Sequence, residues 1–78
     1  MKIYVGNLST HTTAESVEKL FSLHGEVQDV AIAMDNETNK SRGFGFVFMP
    51  DPEEGRQAIK AVNGKLLDGR TLSVVEAQ

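Results

Sequence analysis

The segment Arg42-Gly43-Phe44-Gly45-Phe46-Val47-Phe48-Met49 sets a phenylalanine at every second position. Side chains along a β-strand alternate between the faces of a sheet, so a strand here puts Phe44, Phe46 and Phe48 on one face with Arg42, and Gly43, Gly45, Val47 and Met49 on the other. Burying the phenylalanines would drag the Arg42 guanidinium inward and leave Val47 and Met49 outside. The reverse orientation is cheaper: it buries Val47 and Met49 and sets the two glycines beneath a close-packed helix. A row of aromatics then faces water beside a cation. An exposed apolar strip of that size calls for a ligand.

The N-terminal segment follows the same logic. Lys2 to Leu8 alternates Ile3 and Val5 against Lys2, Tyr4 and Gly6, which places the tyrosine on the same side as the charge. Thr12-x-x-Glu15 reads as a capping box opening a helix, with Val17, Leu20 and Phe21 as its apolar stripe and Gly25 just past its end. Val27 to Met34 forms the next strand, with Val30, Ile32 and Met34 on one face and Ala31 and Ala33 on the other. Turn-forming residues from Asp35 to Ser41 then lead into the phenylalanine strand. Met49-Pro50-Asp51-Pro52 stops that strand. Asp51 caps a second helix, Pro52 suits its first position, and Ala58, Ile59 and Val62 face inward. Gly55 costs that helix about 1 kcal/mol against alanine unless close packing requires it. Asn63-Gly64 ends the helix and Asp68-Gly69 marks a tight turn. Arg70 to Ala77 closes the chain as a fourth strand, with Leu72 and Val74 inward and Thr71, Ser73 and Val75 outward.

The order β-α-β-β-α-β defines an α+β, ferredoxin-like fold: a four-stranded antiparallel sheet with two helices on one face and the other face open to solvent. A chain of 78 residues is expected to form one domain, residues 1–78, and a domain of this size buries only about 60% of its unfolded surface. The absence of cysteine excludes disulfides and thiolate metal sites. His11 and His24 lack companions at metal-ligand spacing, so neither a metal nor another cofactor is expected. No apolar run approaches the roughly 20 residues of a membrane span, and the expected setting is cytoplasmic, or nuclear for a eukaryotic source. The net charge of −3 argues against avid polyanion binding, but charge is distributed unevenly. Lys2, Lys40 and Arg42 fall on or beside the open face, whereas Glu15, Glu18, Glu53 and Glu54 fall on the helices.

These residues resemble the RNA-recognition motif. Arg42 to Met49 is similar to that family's octamer signature, departing only at the last place, where Met49 stands for an aromatic. Ile3-Tyr4-Val5-Gly6-Asn7-Leu8 is similar to its hexamer, which lies on the adjacent central strand. The resemblance covers the whole chain and is greatest to small single-domain bacterial members, although isolated eukaryotic copies read much alike. It implies single-stranded RNA binding in which Tyr4 and Phe46 each stack beneath a base, Phe44 packs against the sugars between them, and Arg42 pairs with a phosphate, supported by Lys2. Asn7 is read as structural, hydrogen-bonding the loop after its strand. Phe48 occupies the octamer's variable place and by parity extends the platform toward a further base.

Strand four offers few groups for reading base edges, so the resemblance implies low sequence specificity, micromolar or weaker affinity and a shallow salt dependence. Single-stranded DNA binding, or a peptide on the same face, are the alternative uses. The protein is expected to be monomeric, with no small-molecule substrate. No enzyme is expected either: the acylphosphatases that share this fold class need an arginine in the loop after the first strand, and Asn7-Leu8-Ser9-Thr10-His11 has none. Gly43-x-Gly45 also lacks the third glycine of a dinucleotide loop.

Overall fold

Alternation in the sequence becomes strand pairing in a computed structural model that describes residues 1–77; Gln78, the last residue of the expected domain, lies outside the described residues. The elements are β1 (Lys2–Gly6), α1 (Ala14–Ser22), β2 (Asp29–Met34), β3 (Ser41–Phe48), α2 (Pro52–Val62), β4 (Leu66–Leu67), β5 (Arg70–Thr71) and β6 (Ser73–Glu76). The main sheet runs β2-β3-β1-β6, and each neighbouring pair is antiparallel. This is the expected ferredoxin-like β-α-β-β-α-β arrangement, with β6 as the fourth strand. None of the described helices is long and apolar enough to cross a membrane.

Parity decides the layers. Ile3 and Val5 of β1, Val47 and the following Met49 of β3, and Val74 of β6 join Val17 and Phe21 of α1 and Ala58 and Val62 of α2 in one buried cluster. Both helices therefore cover the same face of the sheet. Each fully buried aliphatic or aromatic side chain in this cluster contributes about 1.5–3 kcal/mol of transfer free energy, which a chain this short needs.

The helix starts show where local signals hold. At α2, Asp51 Oδ1 accepts from the Glu53 and Glu54 amides at 2.8 and 3.4 Å, and Pro52 is the first helical residue, as expected. At α1 the cap is Thr13 and not Thr12: Thr13 Oγ1 accepts from the Ser16 amide at 3.2 Å. Thr12 is instead buried, and its hydroxyl donates to Asp68 Oδ2 at 2.9 Å. A buried hydroxyl left without a partner is costly, so a carboxylate reached through the tertiary fold outweighs the local capping role.

Three expectations about strands change. β1 ends at Gly6, because Asn7 takes a left-handed conformation (φ 62°). The expected Arg70–Ala77 strand is divided: its start, Arg70–Thr71, pairs instead with Leu66–Leu67 in a separate hairpin around Asp68-Gly69, both of which have positive φ as a tight two-residue turn requires. Leu72 then turns the chain into the core, and only Ser73–Glu76 pairs with β1. β2 begins at Asp29, two residues late, and it pairs with β3 in step from Asp29↔Phe48 to Ile32↔Gly45 before Met34 falls opposite Ser41. Ala33 alone thus faces Arg42, Gly43 and Phe44, a bulge that Gly43 accommodates with φ 94°. Val30 and Ile32 pack on the core, but beyond the bulge Met34, set on their face by the alternation, is 48% exposed.

The glycines of β3 do not sit beneath a helix. A Cβ at Gly45 would lie 2.6 Å from the carbonyl oxygen of Ala31 and 2.9 Å from Ile32 Cδ1, so what closes on it is the neighbouring strand. The nearest atom to a Cβ at Gly43 is the Leu8 carbonyl oxygen at 3.5 Å. In α2, a Cβ at Gly55 would meet Met1 Sδ at 2.5 Å. These clashes differ in kind, since Met1 Sδ lies near the end of a flexible side chain and Ala31 O is backbone. Gly45→Ala is therefore predicted to lose about 1–3 kcal/mol by overpacking. Gly55→Ala should stay within about 1 kcal/mol of the parent, because helix propensity offsets displacement of Met1. Urea denaturation of both variants checks this; equal losses would contradict it.

Candidate nucleic-acid interface

Register places the outward side chains in rows across the sheet. Tyr4 stands opposite Phe46 on one side and Val75 on the other, and Ala31 lies beyond Phe46. Lys2 stands opposite Phe48, which in turn faces Asp29; Gly6 stands between Phe44 and Ser73. Neither α1 nor α2 covers this face, since both pack on the other. Tyr4, Phe44, Phe46 and Phe48 are each half-buried by their neighbours in the sheet.

Three of the rings form a cluster. Tyr4 and Phe44 lie 6.1 Å apart and nearly parallel, at 24°, while Phe46 meets Tyr4 at 5.9 Å and 67° and Phe44 at 6.2 Å and 86°. Such stacked and edge-to-face pairs each add about 0.5–1.5 kcal/mol beyond burial and fix the rings against one another. Gly6 makes room for this. A Cβ there would fall 2.7 Å from both Cε2 and the hydroxyl oxygen of Tyr4, so the tyrosine ring lies along the strand over the space a side chain would fill. Phe48 forms no ring pair with Tyr4, Phe44 or Phe46 and stands apart between Asp29 and Lys2.

The cations separate. Lys2 Nζ lies 4.5 Å from the centroid of the Phe46 ring, a cation–π contact worth about 0.5–1 kcal/mol at an exposed site. Because β1 and β3 are antiparallel, Lys2 shares the Phe48 end of the sheet, and Arg42 lies six residues away along β3, roughly 20 Å at strand spacing. Lys2 is thus not placed to assist Arg42, as the sequence had suggested. Arg42 is exposed before Phe44, beside the Asp35–Lys40 loop, where Asp35 Oδ1 accepts from the Glu37 and Thr38 amides at 2.8 and 3.3 Å.

Sequence reasoning missed one cation, Arg70. Its Nε donates to the backbone and side-chain oxygens of Asn7, at 3.2 Å each, and its Nη2 also donates to Asn7 Oδ1. The Asn7 amide nitrogen donates in turn to the Thr71 carbonyl at 2.7 Å. Asn7 is structural, but it ties β1 to the β4–β5 hairpin and not to the loop that follows it. The signal for this was faint: an asparagine closing a strand, and an arginine after the Asp-Gly turn. Among the described residues one ion pair forms, Arg56 with Glu53 at 2.7 Å on exposed α2, where the bond and charge of Glu53 hold the guanidinium above its ordinary pKa.

An open sheet face bearing an aromatic cluster on two paired central strands is the form of a nucleic-acid-binding platform. The model of the RNA recognition motif matches residues 3–73, and the chain belongs to that family. It is 48% identical over 77 residues to Small RNA binding protein 1 of Cucumis sativus and 47% identical over 77 residues to a glycine-rich RNA-binding protein of Daucus carota, covering 99% of this chain in each case. The chain spans about half the length of these curated relatives, 48% and 49%. Among solved structures it resembles the crystal structure of RNA Binding Protein PG1, with 42% identity and a TM-score of 0.93 over 99% of this chain and 93% of that one. It also resembles the Rna15 RRM with bound RNA (GU), with 28% identity and a TM-score of 0.88 over 97% and 81% of the two chains.

The space above Gly6 yields a prediction. Gly6→Ala should keep the fold but push the Tyr4 ring away from Phe44, so NMR cross-peaks between these rings weaken while those of Phe21 in the core persist. Unchanged Tyr4–Phe44 cross-peaks would contradict the packing described.

Proposed function

We propose that this chain is a binding protein, not an enzyme, and that it binds single-stranded RNA on the open face of its sheet by stacking bases on aromatic rings. The observation that carries the reading is the cluster of Tyr4, Phe44 and Phe46, held at centroid separations of 5.9 to 6.2 Å on the face no helix covers. Membership of the RNA recognition motif family and the RNA-binding names of its relatives support it. Tyr4 and Phe46 each take a base, Phe44 meets the sugars between them, and Arg42 takes a phosphate. Lys2 leaves the Phe46 ring as a base arrives and pairs with the backbone at the opposite end from Arg42. Phe48 takes a further base, since its ring is outside the cluster and has no aromatic partner to give up.

Sequence preference is low on this reading, because every base offers a π-face and the outward groups of the fourth strand, Ser73 and Val75, read little. Stacking on two or three rings at about 1–3 kcal/mol each, less the cost of association, gives affinity in the micromolar range or weaker.

NMR titration with short RNA and DNA strands of random sequence tests the proposal. Shifts should concentrate at Tyr4, Phe44, Phe46 and Phe48, and saturation by DNA at equal concentration would reassign the ligand to single strands generally. Phe46→Ala should weaken RNA binding by about 1–3 kcal/mol and Phe48→Ala by a smaller amount within that range. Shifts confined to α1 and α2, with Tyr4 and Phe46 silent, would overturn the proposal. So would a peptide titrating the face that RNA leaves untouched.

A further inference from the structure

We infer that Arg70, held by Asn7, is a pre-oriented phosphate clamp at the Phe44 end of the open face; the inference rests on the RNA-binding reading and deepens it. Arg70 reaches the site from outside the main sheet. It lies on β5 of the small hairpin, and its guanidinium is brought to the end of β1 by hydrogen bonds to the oxygens of Asn7. Asn7 follows Gly6, which stands between Phe44 and Ser73, so the guanidinium is held at the end of β1, one residue beyond the row that contains Phe44.

Three features make it a clamp and not merely a tie. The groups that hold it are neutral, a backbone carbonyl and a carboxamide oxygen, so its positive charge is not cancelled. Among the described residues it forms no ion pair; the nearest carboxylate in sequence, Asp68, accepts from the Thr12 hydroxyl. A guanidinium carries five N–H donors, and Asn7 engages the one on Nε and one of the two on Nη2, which leaves the second on Nη2 and both on Nη1 pointing away from Asn7. Its fork is therefore oriented before a ligand arrives, which lowers the entropy lost on binding, and guanidinium geometry suits phosphate oxygens. Asn7 supplies the orientation from a left-handed backbone (φ 62°), a conformation that asparagine and aspartate tolerate better than other residues with side chains.

Asn7→Asp separates the clamp from the tie. Aspartate keeps the left-handed conformation and an oxygen for Arg70 but sets a negative charge against the guanidinium. The test measures binding of a fluorescently labelled random-sequence RNA octamer over a range of salt concentrations, with thermal unfolding of each variant alongside and Phe46→Ala as the control for the platform. Arg70→Gln and Asn7→Asp should each weaken binding at low salt by about threefold or more and lower the log–log salt slope by about 0.7, the increment for one lost phosphate contact on a single strand. Arg70→Lys should retain the parent slope. If Arg70→Gln leaves affinity and slope unchanged while Phe46→Ala weakens binding, the clamp is refuted and the platform stands. A lower unfolding temperature without a change in slope likewise reduces Arg70 to a structural tie. If Phe46→Ala has no effect on binding either, the RNA-binding reading itself fails.

Discussion

The register between β1 and β3 is the constraint on which the structure depends. Pairing Tyr4 with Phe46 and Ile3 with Val47 puts an apolar set inside and an aromatic set outside in a single step. A slip of one residue would move each set of one strand to the wrong face, exposing Ile3 and Val5 or burying Lys2. Core and site are thus two faces of one register, specified by the same alternation. The buried side needs it most, since Ile3, Val5, Val47 and Met49 have no exposed surface at all.

Much of this was legible in the chain. Strict alternation in two segments gave the faces, and Asp51-Pro52 marked the start of a helix because both of its signals are local. Phe21 was assigned to the core by helical periodicity and lies there fully buried. What the sequence did not disclose depends on tertiary contacts. Thr12, with Glu15 three residues on, is the better local cap, and it is drawn away from that role by Asp68, far along the chain, which leaves the cap to Thr13. The bulge opposite Ala33 is set by how β3 coils beside β2, so the exposure of Met34 could not be read from alternation. Arg70 and Asn7 meet only after the hairpin folds back beside β1, and neither had a neighbour in sequence to suggest the other.

Electrostatics on the open face follow placement more than total charge. The net charge of −3 covers a surface on which Lys2, Arg42 and Arg70 stand at separate points around the aromatic cluster, each held differently. Lys2 rests on a ring, Arg42 is exposed beside a loop, and Arg70 is fixed by an amide. Both ends of the face are mixed in sign: Asp29 stands opposite Phe48 at the Lys2 end, and Arg42 lies beside Asp35 and Glu37 at the other.

The bond between Thr12 and Asp68 bears on how chains of this kind can vary in length. The hairpin turn is pinned through Asp68 to the threshold of α1 and through Arg70, two residues on, to the end of β1. Added residues between these anchors would pull one of them out of reach. The Asp35–Lys40 loop instead closes on itself: Asp35 and Lys40 bond through their backbones, and the Asp35 carboxylate holds the amides between them. Growth is therefore cheap between β2 and β3 and costly at the hairpin, whatever residues are inserted.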